Sequence, residues 1–132
     1  MKVRSPEFLN VDLELRTRSS TNLISIDFGK LATIISDTSS AEVTEVHLTT
    51  YELNDSTLST PDEIISSFCN LIDKLPLKSR KQWKMCMSRR FDIGFASGKG
   101  NQIATAILSP FTLKRCSELG CEIAVTVYPN KL

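Results

Sequence analysis

The sequence has no long apolar run and little aromatic character. None of its hydrophobic stretches approaches the roughly 20 residues that a membrane-spanning helix needs. The start, Met1 to Pro6, is followed by polar residues and not by the apolar core of a signal peptide. Hydrophobic residues make up 41% and charged residues 23% of the 132 residues, which excludes both wholesale disorder and a fibrous repeat. We therefore expect a single cytoplasmic domain spanning residues 1–132, with no membrane attachment.

The sequence also has few residues that bind metals. His47 is the one histidine, and the four cysteines contain no C-x-x-C pair, since Cys116 and Cys121 are separated by four residues. Structural zinc sites bring their ligands in close pairs. We expect no metal, no cofactor and four reduced cysteines.

Catalytic motifs are missing as well. Gly98-Lys99-Gly100 lacks the spacing of a phosphate-binding loop and lies between two predicted strands, so it predicts a turn. Nucleophilic catalysis would need His47, whose position within a predicted strand favours a surface histidine. Asp12 and Glu14, about 7 Å apart on one strand face, are the carboxylates that acid–base chemistry would use. These two carboxylates leave a small enzyme as an alternative. Our main expectation is a non-enzymatic domain with no catalytic residues.

Charge is distributed unevenly along the chain. Residues 1–66 carry five Lys/Arg and eleven Asp/Glu, whereas residues 67–132 carry eleven and four. Residues 31–63 contain seven acidic residues and no basic one, and residues 78–90 contain six basic residues and no acidic one. Such blocks either pair within the fold or face a partner.

Hydrophobic alternation and helix-capping residues predict the helices and strands of the first half of the chain. Residues 9–16 alternate with period two, which predicts a strand with one polar face. The stretch 22–28 fits a strand or a helix, and a cap before it and Gly29 after it favour the helix. Residues 31–35 and 43–53 predict a β-hairpin.

The second half opens with the strongest helix signal. Thr60-Pro61-Asp62-Glu63 combines a cap, a proline at the first helical position and a capping box, and Pro76 ends the helical spacing. The elements predicted after it are a helix from Ser79 to Arg89, strands at 91–95 and 103–108, a helix opened by Ser109-Pro110, and a strand from Cys121 to Tyr128. The side chains predicted to be buried include Phe68, Ile72, Trp83, Cys86, Met87, Phe91, Ile93, Leu113, Cys116, Val125 and Val127.

This order of elements predicts an α+β fold. We expect a two-layer sandwich, in which one mostly antiparallel sheet of about six strands has helices packed on one face. The polar residues of the first strand predict that the other face is wet or covered by a partner.

Parts of the sequence resemble known proteins. The segments are Ser5 to Leu15, Trp83, Arg90 to Phe95, and Thr112-Leu113-Lys114 running into Gly120 to Pro129. Together they resemble a group of small uncharacterised bacterial proteins related to a bacterial domain family of unknown function. The resemblance implies a bacterial cytoplasmic origin and a compact domain, and it supplies no catalytic residues.

We therefore expect a non-enzymatic domain that binds another protein, most specifically an immunity- or antitoxin-like inhibitor of a bacterial toxin. The predicted partner surface is the acidic hairpin and the loop after it, with Val46 and Leu48 on the core side of the hairpin. Its residues are Asp37, Glu42, Glu45, Glu52 and Asp55. The alternative is a nucleic-acid-associated regulator that uses a basic patch on the helix around residues 78–90. The residues of that patch are Arg80, Lys81, Lys84, Arg89 and Arg90.

Overall fold

A computed structural model describes residues 6–38, 46–98 and 102–129. In these ranges the elements are β1 (Glu7–Thr17), α1 (Asn22–Phe28) with a 3-10 turn (Gly29–Leu31), β2 (Ala32–Asp37), β3 (His47–Leu53), α2 (Pro61–Asp73), α3 (Leu77–Met85), β4 (Ser88–Ala96), α4 (Pro110–Glu118) and β5 (Glu122–Tyr128). The predicted α+β class is confirmed, and the ambiguous stretch at 22–28 is a helix.

The strands form one mixed sheet in the order β2-β3-β1-β4-β5. β1 lies in the middle, antiparallel to β3 and β4, and β2 is antiparallel to β3. β5 runs parallel to β4, because α4 lies between them in the chain and returns it to the same end of the sheet. The described residues therefore form five strands instead of about six. Residues 102–109 form neither helix nor strand, so the strand predicted at 103–108 is wrong.

β1 separates a buried face of the sheet from a half-exposed one. Val11, Leu13 and Leu15 are fully buried, whereas Asp12 and Glu14 between them are half-buried. We call the face that carries Asp12 and Glu14 the open face. We call the face of Val11, Leu13 and Leu15 the core side. These three residues belong to one hydrophobic core that also contains buried residues of all four helices. Of the side chains predicted to be buried, those confirmed are Phe68, Ile72, Trp83, Cys86, Phe91, Ile93 and Cys116.

Local capping explains where α2 and α4 begin. The Thr60 hydroxyl accepts a hydrogen bond from the Glu63 amide (3.2 Å), and the Glu63 carboxylate accepts one from the Thr60 amide (3.2 Å). These two bonds complete the predicted capping box. The Ser109 hydroxyl caps α4 by accepting from the Thr112 amide (3.1 Å).

The start of α1 is capped both locally and from α3. The Ser20 hydroxyl accepts a hydrogen bond from the Asn22 amide (3.1 Å). Thr21 makes no side-chain capping bond to α1. The Gln82 side-chain oxygen on α3 accepts from the amides of Leu23 (3.0 Å) and Ile24 (3.3 Å). A glutamine distant in the chain therefore satisfies two first-turn amides that have no acceptor within the helix.

The face assignment predicted for β3 is wrong. Thr49 and Tyr51 are buried on the core side, where they pair with Leu15 and Leu13 of β1, and Leu48 is half-buried. The two buried hydroxyls have partners, because Thr49 shares a hydrogen bond with Thr21 (3.0 Å) and Tyr51 shares one with Ser25 (2.6 Å). The sequence pattern predicted Val46 and Leu48 on the core side of β3. Thr49 and Tyr51 lie there instead, with their hydroxyls hydrogen-bonded.

Four further side-chain predictions are wrong. Val125, Val127, Leu113 and Met87 are all exposed. α3 ends at Met85 instead of Arg89, which places Met87 in the connection to β4. Val125 and Val127 lie on β5, at the edge of the sheet.

Candidate functional site

Three carboxylates lie side by side across the open face of the sheet. Asp12 of β1 is in register with Glu52 of β3 on one side and with Asp92 of β4 on the other. Directly paired side chains on antiparallel strands lie about 5 Å apart at Cβ, so like charges in such a row repel one another. The row concentrates negative charge in the middle of the sheet.

These carboxylates line a shallow groove of about 300 Å³. Its other lining residues are Leu9, Asn10, Ile35, Gly94 and Tyr128. We call this site the acidic groove. Leu9, Ile35 and the Tyr128 ring give the lining apolar surface beside Asn10 and the three carboxylates.

Two irregularities in the strand ladders lie beside the acidic groove. The β1–β4 register shifts between Phe8 and Asn10, and the β2–β3 register shifts between Ile34 and Ser36. Leu9 and Ile35, the residues within these shifts, line the groove. Such irregularities redirect side chains locally, and they are common next to functional sites.

The groove also needs a small residue at position 94. A Cβ added to Gly94 would lie 3.5 Å from both the Asn10 carbonyl oxygen and a Tyr128 ring carbon, which is ordinary contact. A larger side chain would extend from there into the groove. Gly94 therefore keeps open the space between Asn10 and Tyr128.

The electrostatics of the row are most marked at Asp12. Burial, followed by the neighbouring charges of Glu52, Asp92 and Glu14, raises the pKa of Asp12 to about 6. Burial and Asp92 also raise the pKa of Glu14, while Arg90 and Arg16 act to lower it. Asp12 is thus partly protonated near neutral pH.

Two of the three groove carboxylates accept hydrogen bonds from side chains, and none of the three has a cationic partner among the described residues. Asn10 donates to Asp12 (3.3 Å) and Thr126 donates to Asp92 (2.7 Å). The nearby guanidinium of Arg90 is paired with Glu122 (3.4 Å). A positively charged group entering the groove would relieve repulsion that the chain itself leaves in place.

The predicted acidic surface is divided by the fold. Glu52 lies in the acidic groove, Asp37 ends β2 at the exposed edge strand, and Asp55 lies in the loop after β3. The Asp55 carboxylate accepts from the Thr57 hydroxyl (2.5 Å) and amide (3.0 Å), and these bonds lower its pKa. Glu42 and Glu45 lie outside the described residues.

The alternative basic patch is divided as well, because Arg89 and Arg90 lie on β4 and not on a helix. Arg89 donates to the carbonyls of Trp83 (2.8 Å), Cys86 (3.0 Å) and Gly120 (3.2 Å), which ties the end of α3 to the start of β5. Arg80 donates to the Asp73 carbonyl at the end of α2 (2.7 Å). Lys81 and Lys84 form no ion pair with any described residue. Two of the five cations therefore hold backbone carbonyls.

Sequence reasoning found part of the groove and missed the rest. Asp12 and Glu14 were recognised as carboxylates on the polar face of β1, and Glu52 as an acidic residue of the hairpin. Asp92 and Thr126 were missed, although alternation with Phe91 and Ile93 places Asp92 on a polar strand face. Only the pairing of β1 with β4, about 80 residues apart in the chain, brings Asp12 and Asp92 together.

No family model, curated protein or solved structure matches the chain. Within the described ranges, no cluster of His, Cys, Asp and Glu is arranged to hold a metal ion. None of the helices described is long and apolar enough to cross a membrane.

Proposed function

We propose that this chain is a non-enzymatic protein-binding domain, an immunity- or antitoxin-like inhibitor whose acidic groove takes a basic side chain of its partner. The observation that carries the proposal is the row of Asp12, Glu52 and Asp92, which has no cationic partner among the described residues. A lysine or arginine side chain suits the groove, because its aliphatic stem packs on the apolar part of the lining while its charged end meets carboxylates. We assign the inhibitor class by analogy, because small single domains without a catalytic motif often serve as dedicated binding partners.

The acidic groove also suits rapid association with a basic partner. Clustered negative charge attracts a positively charged surface at long range and raises the rate of association, an effect that salt screens. An inhibitor of a nuclease, whose own surface binds phosphates, would use this attraction. Asp37, exposed at the end of β2, extends the negative field along the hairpin side of the sheet.

Binding of short peptides tests the proposal at the level of the groove. In NMR titrations, a peptide with a central arginine should shift the amides around Asp12, Glu52 and Asp92 and should saturate, whereas the same peptide with alanine should not. Asp92→Asn should weaken binding about fivefold, since one carboxylate contact is worth about 1 kcal/mol in water. Asp55→Asn is the matched control, because it removes a carboxylate outside the groove.

Shifts scattered over the surface, or equal affinities for the Asp92→Asn and Asp55→Asn proteins, would contradict the proposal. The first full-length partner to test is the product of the reading frame next to this chain's gene. Its association rate with the wild-type domain should fall in the Asp92→Asn and Glu52→Gln variants, and the loss should shrink at high salt.

A small enzyme is a second candidate, favoured by one observation. The pKa of Asp12, raised to about 6, lies where a carboxyl group can both give and accept a proton near neutral pH. Asp12 and its neighbours would then act as the carboxylates of a hydrolase. Chromogenic glycosides are the substrates to test, and turnover that Asp12→Asn abolishes would favour the enzyme over the binding domain.

A further inference from the structure

The edge strand β5 has an apolar face that the fold leaves uncovered. Ile123, Val125 and Val127 are in register with Phe91, Ile93 and Phe95, so they lie on the core side of the sheet. The residues on β4 are buried, but Val125 and Val127 are 61% and 60% exposed. The described helices therefore cover β4 and stop short of β5.

The outer edge of β5 is open to strand pairing. Among the described residues, β5 is the last strand of the sheet and is paired only with β4. Natural edge strands are protected by charges, prolines, shortness or bulges. β5 has seven residues, and its single charge, Glu122, stands at its first position. This edge lacks the usual protection against association.

Residues 102–108 lie beside the exposed apolar side chains of β5, and we call them the 102–108 segment. Within the described part of the chain they form no hydrogen bond and belong to no strand ladder. Gln102, Ala104 and Ala106 line a cavity of about 450 Å³ with Val125 and Val127, whereas Ile103 and Ile107 are 88% and 76% exposed. This alternation is typical of an extended segment with one apolar side facing solvent.

We propose that two copies of this chain associate through their β5 edges, with the two 102–108 segments packed beside the joined strands. The two β5 strands would pair antiparallel about a two-fold axis at Val125 and extend the sheet from five to ten strands. This interface shares Tyr128 with the acidic groove, but the inference does not rest on the proposed function.

The charge pattern of β5 favours a second copy as the occupant. Antiparallel pairing about Val125 places Glu122 of each copy opposite Tyr128 of the other, so the two carboxylates lie about 20 Å apart at opposite ends. The 102–108 segment contains no charged residue. A second copy would cover the β5 edge and the 102–108 segment of both molecules, whereas a single foreign strand would cover one edge.

The size of the surface predicts a dimer of moderate affinity. Each copy contributes the seven residues of β5 and the seven of the 102–108 segment. A standard interface has roughly 20–30 residues on each side. The dimer should therefore dissociate on dilution.

Sedimentation velocity of the full chain over a wide concentration range tests this inference. The wild type should convert from monomer to dimer with increasing concentration. Val125→Lys should raise the dissociation constant at least about tenfold, because it places two like charges at the two-fold axis and removes apolar contact. Ile107→Lys should weaken the dimer as well. Its position on the exposed 102–108 segment leaves folding unaffected.

Ile26→Lys is the matched control, because Ile26 is an equally exposed apolar residue on α1. Its dimer should be as stable as that of the wild type. A wild type that stays monomeric at the highest soluble concentration would overturn the inference and leave the β5 edge to a foreign strand. So would a dimer whose dissociation constant is unchanged by both Val125→Lys and Ile107→Lys.

Discussion

At the scale of single residues, the ionisation of Asp12 connects the acidic groove to the stability of the fold. Its pKa is about 6 in the folded chain, compared with 3.8 for an ordinary aspartate, because of burial and neighbouring carboxylates. The folded state therefore binds this proton more tightly than the unfolded state does. The folded state loses stability as the pH rises from about 4 to about 6, and the penalty is complete above that range.

We predict that Asp12→Asn stabilises the protein at about pH 8 and not at about pH 4. The gain should be roughly 1 kcal/mol in the free energy of unfolding, after allowing for solvent screening of this half-exposed carboxyl. Urea unfolding of both proteins at the two pH values measures it. Glu7→Gln, an exposed charge at the start of the same strand, should give no comparable gain. Equal effects of Asp12→Asn at both pH values would show that Asp12 does not carry this penalty.

Arg89 has a structural role where the sequence suggested a binding role. The sequence places it in a basic block and suggests a surface for phosphates. In the structure its guanidinium joins three backbone carbonyls and lies over the Trp83 ring, 5.8 Å from the ring centre. A charge that looks available for a partner is thus part of the framework that holds α3 and β5 together.

At the scale of elements, α2 depends on its capping box. The Thr60 hydroxyl and the Glu63 carboxylate satisfy each other's backbone amides. Hydrogen bonds from the Thr60 hydroxyl and the Ser59 amide to the Glu63 carboxylate lower the pKa of Glu63. Thr60→Ala should lower the free energy of unfolding by about 1 kcal/mol. Thermal or urea unfolding measures the loss. Thr60→Ser, which keeps the hydroxyl, should retain most of the stability, and an alanine variant as stable as the wild type would contradict the capping role.

At the scale of the whole molecule, the four cysteines report on global unfolding. Cys69, Cys86 and Cys116 are buried, Cys121 is half-buried, and none forms a disulfide. Burial raises the pKa of Cys86 to about 11, and burial together with Cys116 raises that of Cys121 to about 12. Burial of Cys69, Cys86 and Cys116, and low thiolate content at Cys86 and Cys121, should therefore slow their reactions in the native state.

We predict four free thiols in denatured protein purified without reductant, and slow reaction of all four in native protein at neutral pH. A chromogenic disulfide reagent measures both quantities. The native reaction should accelerate in step with added denaturant, because the buried thiols become reachable as the core opens. Two or fewer thiols in the denatured protein would contradict the reduced state.

The elements with complete local signals were predictable from the sequence. α2 carries its cap, proline and capping box within four residues, and β1 shows its two faces by alternation alone. The α+β class follows from the order of such elements. Two local patterns were misleading: the apolar alternation at 103–108 forms no strand, and that at β5 is not buried. Burial and strand pairing need a partner element, and local alternation carries no information about whether one is present.

The sequence by itself thus determined which segments are helices and strands wherever capping and alternation act between near neighbours. The tertiary structure alone decided that Asp12, Glu52 and Asp92 share a row, that Thr49 and Tyr51 face the core, and that β5 is left uncovered. Each of these outcomes depends on strand order and register, which are set by contacts between residues far apart in the chain. The acidic groove and the β5 edge arise from that long-range pairing, since no short stretch of the sequence contains either of them.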